Sequence, residues 1–419
     1  MNDPRRSTAR QNSAIALSCL GLACFGIVYW QLVDAFLPLA LLLLGVFCLG
    51  PLPRWAAYAL ASSFYLAQTS PFIAVGGLFF EGSSPVGLGW LAHGLAVSMP
   101  VLFLHGQHPG RRAALLALLY IVPPLGLWMP SSPAIAIGLL FPNTGLLGLI
   151  LFIGTGATLA SVSAWAFGGR SSRPRRWRIV HLALPQYVMW AALGCQLLVS
   201  PPPLPPTWHS FNTNIGRLPG SMEGATAASN LLLPNAAAAR LAASDSQSRP
   251  QVWFFGEGVL NERSAATDVI WASKLEHSGV LAVGGTYFVA DYQSRTAASG
   301  VFALGDLAAH PQTAIPQNFS ASQTFPVTMW APWLKSAHFP AHSPNSPVSL
   351  SGVPTHFSFC YESQLIWPHI VAAASNARTM VSLENRWGTQ GTSLEHAQNA
   401  SARLVARWLN LPLLTAINR

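Results

Sequence analysis

All eleven arginines of residues 1–200 fall in four short stretches, and the long runs between them are almost free of charge. Residues 13–31, 36–53, 55–77, 86–104, 113–129, 138–167 and 179–199 are each predominantly apolar. A helix needs roughly 20 such residues to cross a hydrocarbon core, so the expectation is a membrane helical bundle of seven spans. Ser62, Ser63, Gln68 and Pro71 weaken the third run, and Pro142-Asn143 interrupts the sixth. The arginines occupy residues 1–12, the turn at Arg54, His105–Arg112 and Gly168–Arg178, whereas the alternate loops hold Asp34 and Glu81 and no arginine. Cytoplasmic loops collect Lys and Arg, so this pattern predicts a cytoplasmic N-terminus. After an odd number of spans, everything beyond residue 200 is expected outside the cytoplasm. Arg5, Arg6 and Arg10 resemble the charged start of a signal peptide. No small-residue cleavage site followed by a polar sequence comes next, so the first run is read as an uncleaved helix.

This segregation also disposes of a nucleic-acid reading. The net charge is +9, but the first 200 residues carry +8 of it in loops between apolar runs. The basic balance is therefore a topology signal rather than a phosphate-binding face. The segment Ser200–Pro206, Ser-Pro-Pro-Pro-Leu-Pro-Pro, cannot continue a helix and favours extended polyproline geometry. It sets the expected domains: a transmembrane domain over 1–200, a Pro-rich stalk over 201–207, and an extramembrane domain over 208–419.

The second half alternates between strand and helix patterns. Trp208–Ile215, Gln251–Phe255, Gly279–Gly284, Val301–Leu304, Thr355–Cys360 and Thr379–Leu383 read as strands. Glu223–Ala243, Glu262–His277 and His396–Leu409 read as helices, which together argue an α/β domain. Cys360 is the single cysteine of this half; Cys19, Cys24, Cys48 and Cys195 sit in apolar runs, where a thiol behaves as a small buried hydrophobe. A thiol at a strand end is a candidate nucleophile. Glu257 ends another apolar strand, and strand ends are where active sites collect in α/β sheets. A carboxylate beside a thiol can act as its general base. No His, Cys and carboxylate cluster has zinc spacing, so no metal is expected, and no glycine-rich phosphate loop or cofactor motif is present.

The ordered set Val252-Trp253-Phe254-Phe255-Gly256-Glu257, Phe359-Cys360-Tyr361-Glu362, Trp387-Gly388, Glu395-His396-Ala397-Gln398 and Arg403 resembles the nitrilase (carbon–nitrogen hydrolase) superfamily. Within it, the chain is most similar to the membrane-embedded branch, apolipoprotein N-acyltransferase. The chain stops at Arg419 without an eighth span, and it carries Met329-Trp330-Ala331-Pro332-Trp333. Both features look more like the shorter, plasmid-encoded conjugal-transfer relatives of that branch. The resemblance implies a nitrilase-like α-β-β-α sandwich in the periplasm, tethered to a bacterial inner membrane. It implies thiol-dependent amide hydrolysis or N-acyl transfer, with Glu257 as base, Cys360 as nucleophile, the Tyr361 amide at the oxyanion and Glu362 positioning the site. A membrane lipid or lipoprotein is the implied substrate, and conjugation machinery the implied partner. His396 lies outside this set.

One departure stands out. The resemblance implies a lysine that steadies the tetrahedral intermediate, and Ala321 occupies its position. The chain has two lysines, Lys274 and Lys335. Lys335 is taken as the replacement cation, with Arg378 as a second candidate. A catalytically degenerate domain serving as an accessory or assembly component of a transfer apparatus is the competing expectation.

Overall fold

A computed structural model describes residues 53–79, 85–130, 132–167, 190–197, 199–216, 251–259, 265–275, 280–291, 296–305, 310–313, 346–386 and 389–419, with Gly21, Tyr187, Asn230 and Ala308. The chain divides into two compact units. The first comprises Met1–Val199, Gln364–Trp367 and Thr392–Leu409; the second comprises Ser200–Ser363, Pro368–Gly391 and Asn410–Arg419.

The first unit is helical, and prolines set its helix lengths. Helix α1 (Arg54–Thr69) stops where Pro71 opens α2 (Pro71–Phe79). Helix α3 (Val86–Ser98) runs through Met99 into the short turn Pro100–Phe103. Helix α4 (Pro109–Ile121) ends before Pro123-Pro124, and the turns Leu125–Trp128 and Ile137–Leu140 precede α5 (Leu146–Phe167). Proline lacks the amide donor and clashes with the preceding turn, so each Pro breaks or bends what hydropathy alone reads as continuous. Helix α8 (Ser393–Leu409) joins this unit with a face of Leu394, Ala397, Leu404, Val405 and Trp408 buried. The turn at Pro142–Gly145 caps its C-terminus. There the Asn143 amide donates to the Arg407 carbonyl at 2.8 Å, and the Gly145 amide donates to the Trp408 carbonyl at 3.3 Å. Those contacts satisfy carbonyls that a helix end otherwise leaves orphaned.

The expected seven-span bundle is overturned. Among the described residues, one helix, Val86–Phe103, is long and apolar enough to cross a membrane, with a mean hydropathy of 1.6 over 18 residues. Run 55–77 is divided at Ser70–Pro71, run 113–129 at Val122–Pro124, and run 138–167 at Phe141–Gly145. Helix α4, with 13 residues, reaches about 20 Å, short of a hydrocarbon core of about 30 Å. Runs 13–31, 36–53 and most of 179–199, like the expected helix Glu223–Ala243, lie outside the described residues. Hydropathy counts apolar residues and does not register the prolines that divide them.

Among the described residues the second unit holds two four-stranded sheets, both mixed. In the first, β1 (Trp208–Phe211), β2 (Gln251–Phe255) and β3 (Val280–Asp291) run parallel, and β4 (Thr296–Gly305) is antiparallel to β3. In the second, β6 (Val353–Phe359), β7 (Thr379–Asn385) and β8 (Leu413–Asn418) run parallel, and β5 (Val348–Leu350) pairs antiparallel with β6. Alternation decides the faces. Val252, Phe254, Leu281 and Val283 meet Phe357, Phe359, Val381, Leu383, Leu414 and Ala416 in one buried layer between the sheets. Trp253, Phe255, Val280 and Ala282 point the other way, onto Trp271 and Leu275 of helix α6 (Ala265–Leu275). Each fully buried Leu, Val or Phe contributes about 1.5–3 kcal/mol. On the far side of the second sheet, His356 of β6 meets His369 of helix α7 (Trp367–Ala374).

The strand ends are pulled together by backbone rather than side chains. A Cβ on Gly256 would meet the Asn418 amide nitrogen, the Ile417 carbonyl carbon at 2.7 Å and the Glu384 carbonyl oxygen at 2.9 Å. These backbone atoms have no rotamer with which to yield. Gly256→Ala is therefore expected to lower the stability of the second unit by about 2–3 kcal/mol, as overpacking does. A thermal-unfolding midpoint equal to wild type would show that the two sheets can separate at this point without cost.

Candidate active site

Three of the strand ends just described carry the ionisable side chains of the second unit's buried edge. Strand β6 ends at Phe359, and Cys360 opens the tight turn Cys360–Gln364 with φ at +39°. The left-handed region is costly for a side chain with a Cβ. Three of the five described non-glycine residues with positive φ are asparagines, which tolerate that region; Cys360 has no such excuse. Strain of this kind, kept at a strand-to-turn junction, points to a functional constraint. Two contacts fix the turn: the Ser363 hydroxyl donates to the Cys360 carbonyl at 3.0 Å, and Glu362 Oε2 accepts from the Phe359 amide at 3.2 Å. Glu362 is 2% exposed, so its carboxylate is committed to this turn rather than to solvent.

The thiol donates to the carbonyl of Asn385, with Sγ 3.6 Å from the oxygen. Asn385 ends β7 and pairs in register with Asn418 of β8. On either side of it stand Glu384 and Arg386, an ion pair buried to 0% and 1% exposure. Arg386 Nε donates to Glu384 Oε2 at 2.7 Å, and the Ser382 hydroxyl donates to Glu384 Oε1 at 3.0 Å. The Arg386 amide donates to the Asn418 carbonyl at 2.6 Å.

Glu257 follows β2 and Gly256, which abuts the Glu384 carbonyl. It is 3% exposed and lies over Gly285 of β3, where an added Cβ would come within 3.2 Å of its own Cβ and Cγ. Glu257 and Cys360 thus sit at the same edge of two facing sheets, with the Glu384–Arg386 segment adjoining both. Beneath the Cys360 turn lies a buried imidazole pair, His356 Nε2 and His369 Nδ1, 3.0 Å apart. Burial pushes His369 down to about 4, opposed by the Ser363 and Glu362 carbonyls. Burial likewise holds His356 well below its ordinary value, and the His369 charge would lower it further.

The other expected site residues fare differently. Lys335, Ala321 and Trp387-Gly388 lie outside the described residues. Arg378 is not at the site: it is exposed at the start of β7, and its amide donates to the Pro354 carbonyl. The length of a seven-residue strand, about 20 Å, separates that end from Asn385. Lys274 is exposed on α6 and donates to Asn230 Oδ1 at 2.6 Å, and His396 is exposed on α8. Among the described residues, no group of three or more His, Cys, Asp or Glu is placed to hold a metal ion. The residues that sequence reasoning missed are Glu384, Asn385 and Arg386. Their signal was an acid and a base flanking Asn directly after an apolar strand, in a chain where only 9% of residues are charged.

No family model matches this chain. It is 25% identical over 310 residues to the conjugal transfer protein TraB of Agrobacterium fabrum, an alignment covering 72% of this chain and 65% of that protein. It is 24% identical over 315 residues to the probable conjugal transfer protein TraB of Sinorhizobium fredii, covering 73% of this chain and 72% of that protein. The chain thus spans just under two thirds of the length of the first relative.

The histidine pair makes a pH prediction. A histidine held neutral in the fold contributes stability that is complete above its unfolded pKa near 6.5 and is lost as pH falls toward the folded value. With His369 at about 4, lowering the pH from 7 to 4.5 is expected to cost about 2–3 kcal/mol through this residue alone. Denaturant midpoints measured across that range should fall, and the slope should flatten in His369→Gln. An equally steep slope in the variant would assign the acid sensitivity to other groups.

Proposed function

We propose that this chain is a membrane-associated component of a conjugative transfer apparatus, and that its second unit carries a thiol site for amide hydrolysis or N-acyl transfer. The first part rests on the relatives named conjugal transfer protein TraB. The second rests above all on Cys360, a nucleophile-type residue kept at positive φ on a strand end, with buried carboxylates at the same edge.

The proposed chemistry follows from those groups. Glu257 takes the Sγ proton as sulfur attacks the acyl carbon, and the carbonyl oxygen gains the displaced electron pair. The Tyr361 amide donates to that oxygen. Collapse breaks the carbon–nitrogen bond, the proton on Glu257 passes to the leaving amine, and a thioester remains on Cys360. Water or an amine then attacks the thioester, gives its proton to Glu257, and releases the acyl group. The expelled sulfur recovers that proton. Glu362 holds the turn throughout and takes no proton.

Attachment to the membrane is proposed through Val86–Phe103. Only 28% of that segment is buried, and Leu88, Leu91, Leu95, Met99 and Phe103 are exposed along it at near-helical spacing. Lipid acyl chains suit such a stripe, and an acylated lipid or lipoprotein is the substrate class that this location favours. A second reading, a degenerate domain that assembles with the transfer apparatus without catalysis, is favoured by Ala321 at the position where the resemblance implies lysine.

The deciding experiment treats membranes containing the full chain with a thioester-forming acyl donor and locates the adduct by peptide mass spectrometry. Acylation is expected at Cys360, absent in Cys360→Ala and slowed about 10²–10⁴-fold in Glu257→Gln. Transfer frequency should fall in both variants. Wild-type transfer in Cys360→Ala, with no adduct on the parent protein, would select the assembly reading.

A further inference from the structure

Arg386 is the one buried lysine or arginine among the described residues of the second unit. Fully burying a guanidinium is expensive, and pairing it with a carboxylate often fails to repay the cost relative to apolar side chains of similar size. A buried pair in a chain so poor in charge therefore calls for a role. Its position supplies one. The carbonyl that accepts the Cys360 thiol belongs to Asn385, the residue between the two partners. The surroundings of Cys360 are otherwise acidic. Glu362 lies on its own turn, Glu257 follows β2, and Glu384 stands at the end of β7. Behind the turn, His356 of β6 and His369 of α7 are buried and uncharged, and β8 contributes the neutral Asn418. Carboxylates on the rim that carries a thiol oppose its ionisation, since like charge disfavours the charged form. Some cation must offset them if sulfur is to attack as thiolate.

We infer that Arg386, held in place by Glu384, is the positioning residue that supplies this positive charge and sets the ionisation of Cys360. Arg386 does not touch the acyl group. It acts through the field it adds at the β7 end and through the backbone it fixes, its amide tying β7 to Asn418 and its neighbour's carbonyl receiving the thiol. Glu384 tempers the charge as well as holding it. The two partners therefore push the thiol in opposite directions. This inference rests on the thiol reading proposed above, but it concerns the charge state of sulfur and needs no acyl substrate.

The test is the pH dependence of Cys360 alkylation by iodoacetamide in the full chain, followed by peptide mass spectrometry so that the other cysteines are counted separately. Arg386→Met is expected to move the reactivity midpoint up and to slow alkylation at pH 7 about tenfold, as loss of a nearby opposite charge does. Arg386→Lys should restore the rate to within about threefold, since it keeps the charge. Glu384→Gln should move the midpoint down and speed alkylation. The opposite signs separate an electrostatic role from loosening of the turn, which would shift all variants the same way. Where Arg386→Met does not fold, the direction of the Glu384→Gln shift decides. Superimposable profiles, or shifts of one sign in Arg386→Met and Glu384→Gln, would overturn the inference. The expected shifts with no acyl adduct on Cys360 would end the enzymatic reading and leave this one standing; an adduct with unshifted profiles would do the reverse.

Discussion

The second unit depends on a backbone contact that only glycine permits. Gly256 presses against the Ile417–Asn418 peptide and the Glu384 carbonyl, bringing the end of β2 against the ends of β7 and β8. Around that contact Asn418 works as a fastener. Its side-chain oxygen accepts from the Thr213 hydroxyl at 3.1 Å and the Ile215 amide at 3.2 Å, and its side-chain amide donates to the Gly216 carbonyl at 2.8 Å. Its own carbonyl takes the Arg386 amide. A single residue thus ties the segment after β1 to β8 through its side chain and to β7 through its carbonyl, pairing backbone groups on both sides. The apolar layer between the sheets gives bulk attraction without direction. The glycine contact and the asparagine bonds fix which strand ends meet.

Strand direction then decides what gathers there. Each sheet has three parallel strands, and its one antiparallel strand stands at an edge. The carboxyl ends of the parallel strands therefore share one rim, and the residues after them are freed from pairing. Glu257 comes from one sheet, and Cys360 and the Glu384–Arg386 pair from the other. Neither sheet holds the whole set. The same rim carries the positive φ of Cys360, so the local strain and the buried charge coincide.

Much of the second unit was legible because its signal is alternation. Gln251–Phe255 was read with the bounds observed, and β7 and α8 were each found within a few residues. The long hairpin was not. Strand β4 is Thr-Ala-Ala-Ser-Gly-Val-Phe-Ala-Leu-Gly, whose small residues carry little period-two contrast, so only its apolar end was recognised. Strand β5 has three residues, too few for any pattern, and α7 and β8 were passed over because short apolar runs fit helix and strand alike. In the first unit composition misled. Apolar runs were divided by Pro71, Pro123-Pro124 and Pro142: one became the two helices α1 and α2, and the other two each became a helix and a short turn. Cys360 and Glu257 were legible as polar residues ending apolar strands. Arg386 was not, because its meaning comes from burial, which the sequence does not print.

Burial is what gives the charged residues at this rim their weight. An exposed ion pair is worth up to about 1 kcal/mol and would place no constraint on a neighbouring thiol. With water excluded, the same charges act through a lower effective dielectric, and each unit of charge moves its neighbours' ionisation appreciably. Three carboxylates and a guanidinium of the second unit stand in this setting, none more than 3% exposed. The histidines beneath the turn follow the opposite rule, giving up their protons to remain buried. Charge buried at this rim is held by a partner at Glu384–Arg386 and by a backbone amide at Glu362, whereas the histidines packed beneath the turn stay neutral. A fold selected only for stability would have little reason to bury such charge, since apolar side chains fill the space at lower cost.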